Sequence, residues 1–379
     1  MKMLVLSGLL SMGLLAGGQQ QPGTAASAAD SATVPAKPIS GPFSGSELAQ
    51  FTALNPIDTH THVYRSDAAF HALIARLNLH ILDIVVVDDQ GPERMSLAAE
   101  SHAVIRFVHD SNGRAAFCTS FDPYKVADPA FAALAIRGLN RDFSHGAVAV
   151  KIWKNIGMEI KNSKGNFIQP DDPVFAPIYK DIAAHQKTMI AHVADPSSAW
   201  EPENPASPDY SYYKENPIWY MYDKPHPARR EQILAARDQV LAQNGDLRMV
   251  GAHLGSMEAD FNQLAEHLDR YPNFAVDLAA RMPYLMLEPR DRITAFILKY
   301  QDRLIYATDN DFAPRDKLGE KLSEWELSYA NDWRFLATAD TLDYEGHAVQ
   351  GLALPEPVLR KLYHDNAMHW FPGIVGSAH

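Results

Sequence analysis

Cysteine is almost absent: the 379 residues contain one, Cys118. A single thiol cannot close an internal disulfide, so no covalent framework holds this chain. Cys118 ends the apolar run Ala115-Ala116-Phe117-Cys118, where a free cysteine packs as a small hydrophobe, and it is expected to be a buried strand residue. Blocks of like charge are missing too. No cluster of lysine or arginine exceeds the pair Arg229-Arg230, and the formal net charge is -12 with an isoelectric point near 5.7. That balance argues against nucleic acid as a partner and favours a small-molecule substrate. The absence of a tandem repeat excludes a solenoid.

The apolar run from Met3 to Leu15 is too short to span a bilayer. It follows Lys2 and leads into small and polar residues including Ala26-Ser27-Ala28, the layout of a secretory signal peptide. Residues 1–28 are read as that peptide, which implies a periplasmic or secreted protein with no membrane segment in its mature form. No cysteine follows the run, so a lipoprotein anchor is not expected. Residues 29–44, rich in Ala, Ser and Pro, cannot bury enough apolar surface to order themselves and are read as a disordered linker. With 46% hydrophobic and 21% charged residues, the remainder, 45–379, can bury the core of one catalytic domain.

From Ser44 onward, short β-rich runs alternate with amphipathic stretches. The spacing predicts strands at 56–61, 81–88, 115–121, 147–153, 187–193, 248–253, 273–279 and 303–308. Helices are expected at 66–78, 94–110, 127–144, 173–186, 227–244, 257–270, 289–300 and 355–371. Eight strand-helix units give an α/β fold, a (β/α)8 TIM barrel in a single domain.

Metal-competent side chains then fall at the ends of these strands. His60 and His62 lie in Asp58-Thr59-His60-Thr61-His62, where the period of two sends both imidazoles to one side. His192 closes Met189-Ile190-Ala191, His253 closes Met249-Val250-Gly251-Ala252, and Asp309 closes Leu304-Ile305-Tyr306-Ala307-Thr308. A parallel barrel gathers reactive groups at the C-terminal ends of successive strands in this way.

With those residues in view, the chain resembles the amidohydrolase superfamily, and within it the single-domain hydrolases and decarboxylases of the amidohydrolase-2 type. The match runs from about Asn55 to about Gly373. It takes in His60-Thr61-His62, Val148-Ala149-Val150-Lys151, His192, His253-Leu254-Gly255, Thr308-Asp309 and Asn366-Ala367-Met368-His369-Trp370-Phe371. Neutral imidazoles from His60, His62 and His192, with the carboxylate of Asp309, suit one divalent metal, most simply zinc, with a position open for water. The resemblance implies that Asp309 also takes a proton from that water and passes it to the leaving group. It implies that His253 orients the water or polarises the substrate carbonyl. Some superfamily members carry a carboxylated lysine on the fourth strand that bridges two metals, and Lys151 lies on the corresponding run. The single-metal reading is preferred because the run continues through Ile152-Trp153-Lys154, which sets Lys151 a step inside the barrel.

Trp153 shares the parity of Lys151 and either floors the substrate pocket or fills the barrel. The segment from Asp195 to Pro227 is long for a strand-helix connection and carries Tyr213 and Trp219 among many rings. It is read as an aromatic lid over the metal or, equally, as a packing or homodimer contact. Arg281, after the seventh strand, suits a substrate carboxylate or, nearly as well, a plain surface salt bridge. The chain is therefore expected to be a metal-dependent hydrolase of an ester, lactone or amide bond in a small organic molecule. The alternative is a non-oxidative decarboxylase or hydratase of an aromatic or unsaturated acid, since relatives with that chemistry use the same ligands.

Overall fold

The computed structural model describes residues 41–88, 96–344 and 346–376. The expected signal peptide and most of the expected linker lie outside these residues. Nine strands form one sheet: β1 (Ile57–Val63), β2 (His80–Ile84), β3 (Ala115–Ser120), β4 (Ala149–Ile152), β5 (Thr188–Ala191), β6 (Arg248–Gly251), β7 (Phe274–Asp277), β8 (Leu304–Ile305) and β9 (Asn310–Phe312). Their order is β8-β7-β6-β5-β4-β3-β2-β1-β9, and every pairing is parallel. The sheet curls as a TIM-type barrel does. Between β8 and β9 the chain still reaches β1: Thr59 N donates to Tyr306 O at 3.2 Å and Asp309 N to His60 O at 2.9 Å. On its other side Leu278 N donates to Ile305 O at 3.0 Å.

The short apolar strands are buried on both faces, as parallel sheets require when helices cover them. Leu82, Cys118, Ala149, Ile190, Val250, Ala275 and Ile305 form one cluster, alternating along their strands with Ile81, Val150, Met189, Met249, Phe274 and Leu304 in the cluster that includes the helices. Trp370, Phe371 and Ile374 from the C-terminal segment join the first cluster. Trp370 O accepts from the hydroxyl of Thr188, the first residue of β5, so this segment closes the end opposite His192. The core is thus stacked beneath the strand ends that carry the candidate ligands.

Each expected strand is present, and Cys118 is fully buried on β3. The eighth departs from expectation: in place of one strand at 303–308 there are two, separated at 306–309. The expected helices are also found, with the last split into three helical turns over Glu356–Arg360, Lys361–Asp365 and Asn366–Trp370. Among the elements that were not expected are the helix Gly45–Ala53, the 20-residue helix Leu318–Ala337, an antiparallel hairpin of β10 (Thr341–Tyr344) and β11 (His347–Gln350), and short helices such as Tyr210–Glu215 and Met282–Leu287. Among the described residues no helix is long and apolar enough to cross a membrane.

The helices Gly45–Ala53 and Leu318–Ala337 are clasped through Arg334. Its buried guanidinium donates to both oxygens of Glu47 at 2.7 and 2.9 Å, to Gly41 O at 2.6 Å and to Pro42 O at 2.7 Å. Residues 41–44 are thereby tied to the domain, and Ser44 caps the helix Gly45–Ala53 in a reciprocal box with Glu47. Hydrogen bonds from Arg334 hold the Glu47 carboxyl at about 2, below its ordinary 4.5, against the opposing effect of burial. A depressed carboxylate stabilises the fold fully above its ordinary value and loses that contribution as pH falls through the depressed one. Arg334→Met is expected to lower the unfolding free energy by about 3 kcal/mol near neutral pH, because it strands a half-buried charge and two carbonyls. In urea titrations its deficit against wild type should shrink as pH falls from about 5 to about 2. A deficit independent of pH would contradict the clasp.

Candidate metal centre

Strand periodicity sets three of the site's side chains. Lys151 lies two residues beyond Ala149, His192 two beyond Ile190, and Asp277 two beyond Ala275, so each continues the line of the first cluster. On β1 the register against β2 shifts between Asp58 and Thr61, the stretch that contains His60.

Left-handed backbone sets two more. Asp309 has φ 68°, a conformation that aspartate tolerates better than most residues, and this turn is what interrupts the eighth strand. Asp58 holds the turn in place. Its carboxylate accepts from Thr308 N at 3.1 Å, Thr308 Oγ1 at 2.6 Å and the Tyr329 hydroxyl at 2.8 Å. His253, Leu254, Gly255 and Ser256 follow β6 with φ of 58, 56, 64 and 60°. Four left-handed residues in a row are strained, and outliers of this kind concentrate at functional sites. The run is over-determined by its neighbours: His253 N donates to Asp277 Oδ1 at 2.7 Å, Arg237 Nη1 to Gly255 O at 2.6 Å, and the Ser256 hydroxyl to Ala194 O. Gly251 is obligatory beneath it, since a Cβ there would meet the Phe274 ring at 2.7 Å and Gly255 Cα at 2.8 Å.

The result is a convergent donor set. One ligand atom each from His60, His62 and Asp309 lies within 4.8 Å of the others, the one such group of three among the described residues. Asp309 Oδ1 is 3.4 Å from His60 Nε2 and 3.3 Å from His62 Nε2. His60 Nδ1 is 2.9 Å from Asp277 Oδ2, and His62 Nδ1 is 2.9 Å from Ile84 O. His253 Nδ1 is 2.9 Å from Ala279 O. A carboxylate or a carbonyl only accepts, so Nδ1 carries a proton in each ring, which in the neutral form leaves Nε2 its lone pair. Partners of this kind on the far nitrogen are the usual support of a metal-ligating histidine.

Electrostatics point the same way for all but His62. Burial holds His60 below its ordinary range, with the Lys151 charge adding to the effect. Burial and the neighbouring His192 hold His253 well below. Burial alone would raise Asp309, but His253, His60 and His62 more than offset it, and the carboxyl stays well below its usual range. Burial also lowers the proton affinity of His62, but the hydrogen bond and charge of Asp309 more than offset it and leave His62 above its ordinary range, so a cation would have to displace that proton.

His192 does not join this group in the structure. Its ring lies 4.3 Å from that of His253, but its Nε2 faces Asp195 Oδ1 at 3.4 Å. Lys151 is buried with its Nζ 3.0 Å from His60 Nε2, and burial lowers its proton affinity. Trp153 packs edge to face on Trp219, ring centroids 5.0 Å apart, which seats the segment after β5 against the end of β4. Tyr213 and Tyr220 of that segment, with Tyr284, line a cavity of about 280 Å³. Arg281 is buried rather than on the surface, its Nε 3.7 Å from Glu258 Oε2.

Four residues of the site were missed from sequence: Asp58, Lys154, Asp195 and Asp277. Asp277 closes the apolar run Phe274-Ala275-Val276 and obeys the same strand-end rule as the residues that were found.

Comparisons with known proteins give the family of the chain. No curated protein matches the chain. A 2,6-dihydroxybenzoate decarboxylase complexed with 2,6-dihydroxybenzoate is 12% identical with a TM-score of 0.49, over 83% of this chain and 98% of that one. A dihydroxybenzoic acid decarboxylase from Polaromonas sp. JS666, with manganese and 2-nitroresorcinol bound, is 12% identical with a TM-score of 0.48, over 84% and 97%. A probable 2-pyrone-4,6-dicarboxylic acid hydrolase from Acinetobacter baumannii, with citric acid bound, is 11% identical with a TM-score of 0.44, over 84% and 99%. The amidohydrolase family model of the second type matches residues 18–373, nearly the whole chain. The chain therefore belongs to the amidohydrolase-2 family.

Proposed function

We propose that this protein is a hydrolase that uses one divalent metal, zinc in our reading, to cleave an ester, lactone or amide bond in a small organic molecule. The observation that carries the proposal is the convergence of His60, His62 and Asp309 within 4.8 Å, with Nδ1 of each imidazole already engaged. Two nitrogen donors and one carboxylate oxygen fit such an ion, with positions left for water and substrate. His192, ring against ring with His253, is the fourth candidate ligand. When bound, the ion supplies Lewis acidity and lowers the pKa of a coordinated water toward about 7.

The protein's own groups do the rest. Asp309, ionised and beside both histidines, takes the proton of the attacking water and returns it to the leaving group. His253 is fixed by its strained turn and by Ala279 O, and its unprotonated Nε2 orients the attacking water by accepting from it, whereas polarising the scissile carbonyl would need an Nε2 proton that this tautomer lacks. Lys151 stays an amine beside His60 in this reading rather than a bridge between two metals. Trp153, Trp219 and Tyr213 cover the substrate.

The barrel belongs to the same proposal: β8 and β9 are the two halves of one eighth strand parted by the Asp309 turn, giving a single (β/α)8 domain. Export through residues 1–28 is likewise proposed, and N-terminal sequencing of protein recovered outside the cytoplasm would test it.

Arg281 favours a second reading. Its Nε is buried without a hydrogen-bond partner among the described residues, a donor that suits an arriving carboxylate, although Glu258 already stands 3.7 Å from it. Such a group would also fit a non-oxidative decarboxylase of an aromatic or unsaturated acid. Turnover of an ester and lactone panel, set against release of carbon dioxide from aromatic acids, separates the two.

Metal analysis of purified protein is expected to find about one divalent ion per chain, with most of it lost in His60→Ala and in His62→Ala. Full retention in both variants would place the ion elsewhere. Asp309→Asn should leave the fold intact and reduce turnover at least about a hundredfold, since an amide cannot accept the proton. Near-normal turnover would transfer the role to another base. Lys151→Met is expected to keep the single metal, whereas a stoichiometry near two that collapses in this variant would show a bridging lysine.

A further inference from the structure

We propose that Lys154 is a positioning residue that occupies the Asp195 carboxylate and so leaves His192 available to the metal group. The inference rests on the metal-centre reading above. Lys154 follows β4, and its buried Nζ donates to Asp195 Oδ1 at 2.7 Å and Oδ2 at 2.9 Å. The same carboxylate meets His192 Nε2 at 3.4 Å, a long and weak contact. Lysine and histidine therefore compete for one buried anion, and the lysine has the shorter bonds.

The ammonium is itself fixed by the segment after β5. It lies 2.6 Å from the Tyr212 hydroxyl, 4.8 Å from the Tyr212 ring centroid and 4.4 Å from that of Trp219. Aromatic faces attract a desolvated cation, so this enclosure keeps Nζ on Asp195. Trp219 in turn packs on Trp153, which links the seating of the segment to β4.

Removal of the lysine charge leaves Asp195 buried with His192 as its one remaining hydrogen-bond partner among the described residues. A carboxylate in that position draws the Nε2 proton toward itself in a short charge-assisted bond. Nε2, the nitrogen nearest Asp195, is then withheld from a metal. Removal of the carboxylate as well abolishes the competition.

Zinc titration of the full chain, read by calorimetry against a competing chelator, tests this without any activity assay. Lys154→Met is expected to weaken zinc binding about tenfold or more, the usual scale for a partner one step behind a ligand. Lys154→Met/Asp195→Asn should return the affinity to within about threefold of wild type, because the competing charge is gone. Asp195→Asn alone should bind at least as tightly as wild type. Unchanged affinity in Lys154→Met, or a double variant as weak as the single one, overturns the proposal. If Lys154→Met does not fold, the other two variants decide: weak binding by either overturns it and near-wild-type binding by both supports it. Wild-type protein that binds no zinc would instead defeat the metal-centre reading, a separate result.

Discussion

The site depends on one buried carboxylate. Asp277, at the end of β7, accepts from His60 Nδ1 with one oxygen and from the backbone N–H of His253 and Ala279 with the other. Burial alone would raise its proton affinity, but its interaction with His60, hydrogen bond included, more than offsets this, and the Asp277 carboxyl stays below its usual range. As an acceptor it selects the His60 tautomer and aims Nε2 at Asp309. It also pins the first residue of the left-handed run, which sets where the His253 ring stands. Two of the chain's reactive groups, on different strands, are thus placed by the same two oxygens.

Part of the backbone strain lies where chemistry is proposed. His253, Leu254, Ser256 and Asp309 are non-glycine residues held at positive φ. Each such residue costs about 1–2 kcal/mol in isolation. The surrounding hydrogen bonds, accepted by Asp58 and Asp277 and donated by Arg237, together with the close fit of Gly251 under Phe274, make the alternatives worse. A rigid constellation results, in which ligand atoms already lie near one another before any cation arrives. Preorganisation of this kind is the form in which a protein contributes most to electrostatic catalysis.

Much of this was legible in the sequence, for a physical reason. A buried parallel strand must be apolar throughout, so a histidine or aspartate at its end announces itself against Met189-Ile190-Ala191 or Leu304-Ile305. The same rule reaches Asp277, which was overlooked because the expected strand at 273–279 placed it inside the run rather than at its end. Trp325, Tyr329 and Trp333, spaced by four, carry the signature of the long helix Leu318–Ala337, whose buried face they form. What could not be read is the direction of His192 and its link to Asp195 and Lys154, because that pairing joins residues 41 apart across two strands and leaves no periodic trace. The interruption of the eighth strand was equally hidden. It follows from the backbone angle of Asp309, and an aspartate is compatible with both an extended and a left-handed conformation.

The account turns on where a cation sits. Diffraction from zinc-soaked crystals, collected on both sides of the zinc absorption edge, locates it without reference to turnover. The geometry predicts one strong anomalous peak per chain, bounded by Nε2 of His60, Nε2 of His62 and Oδ1 of Asp309. A peak elsewhere, with those three atoms holding no ion, would contradict it.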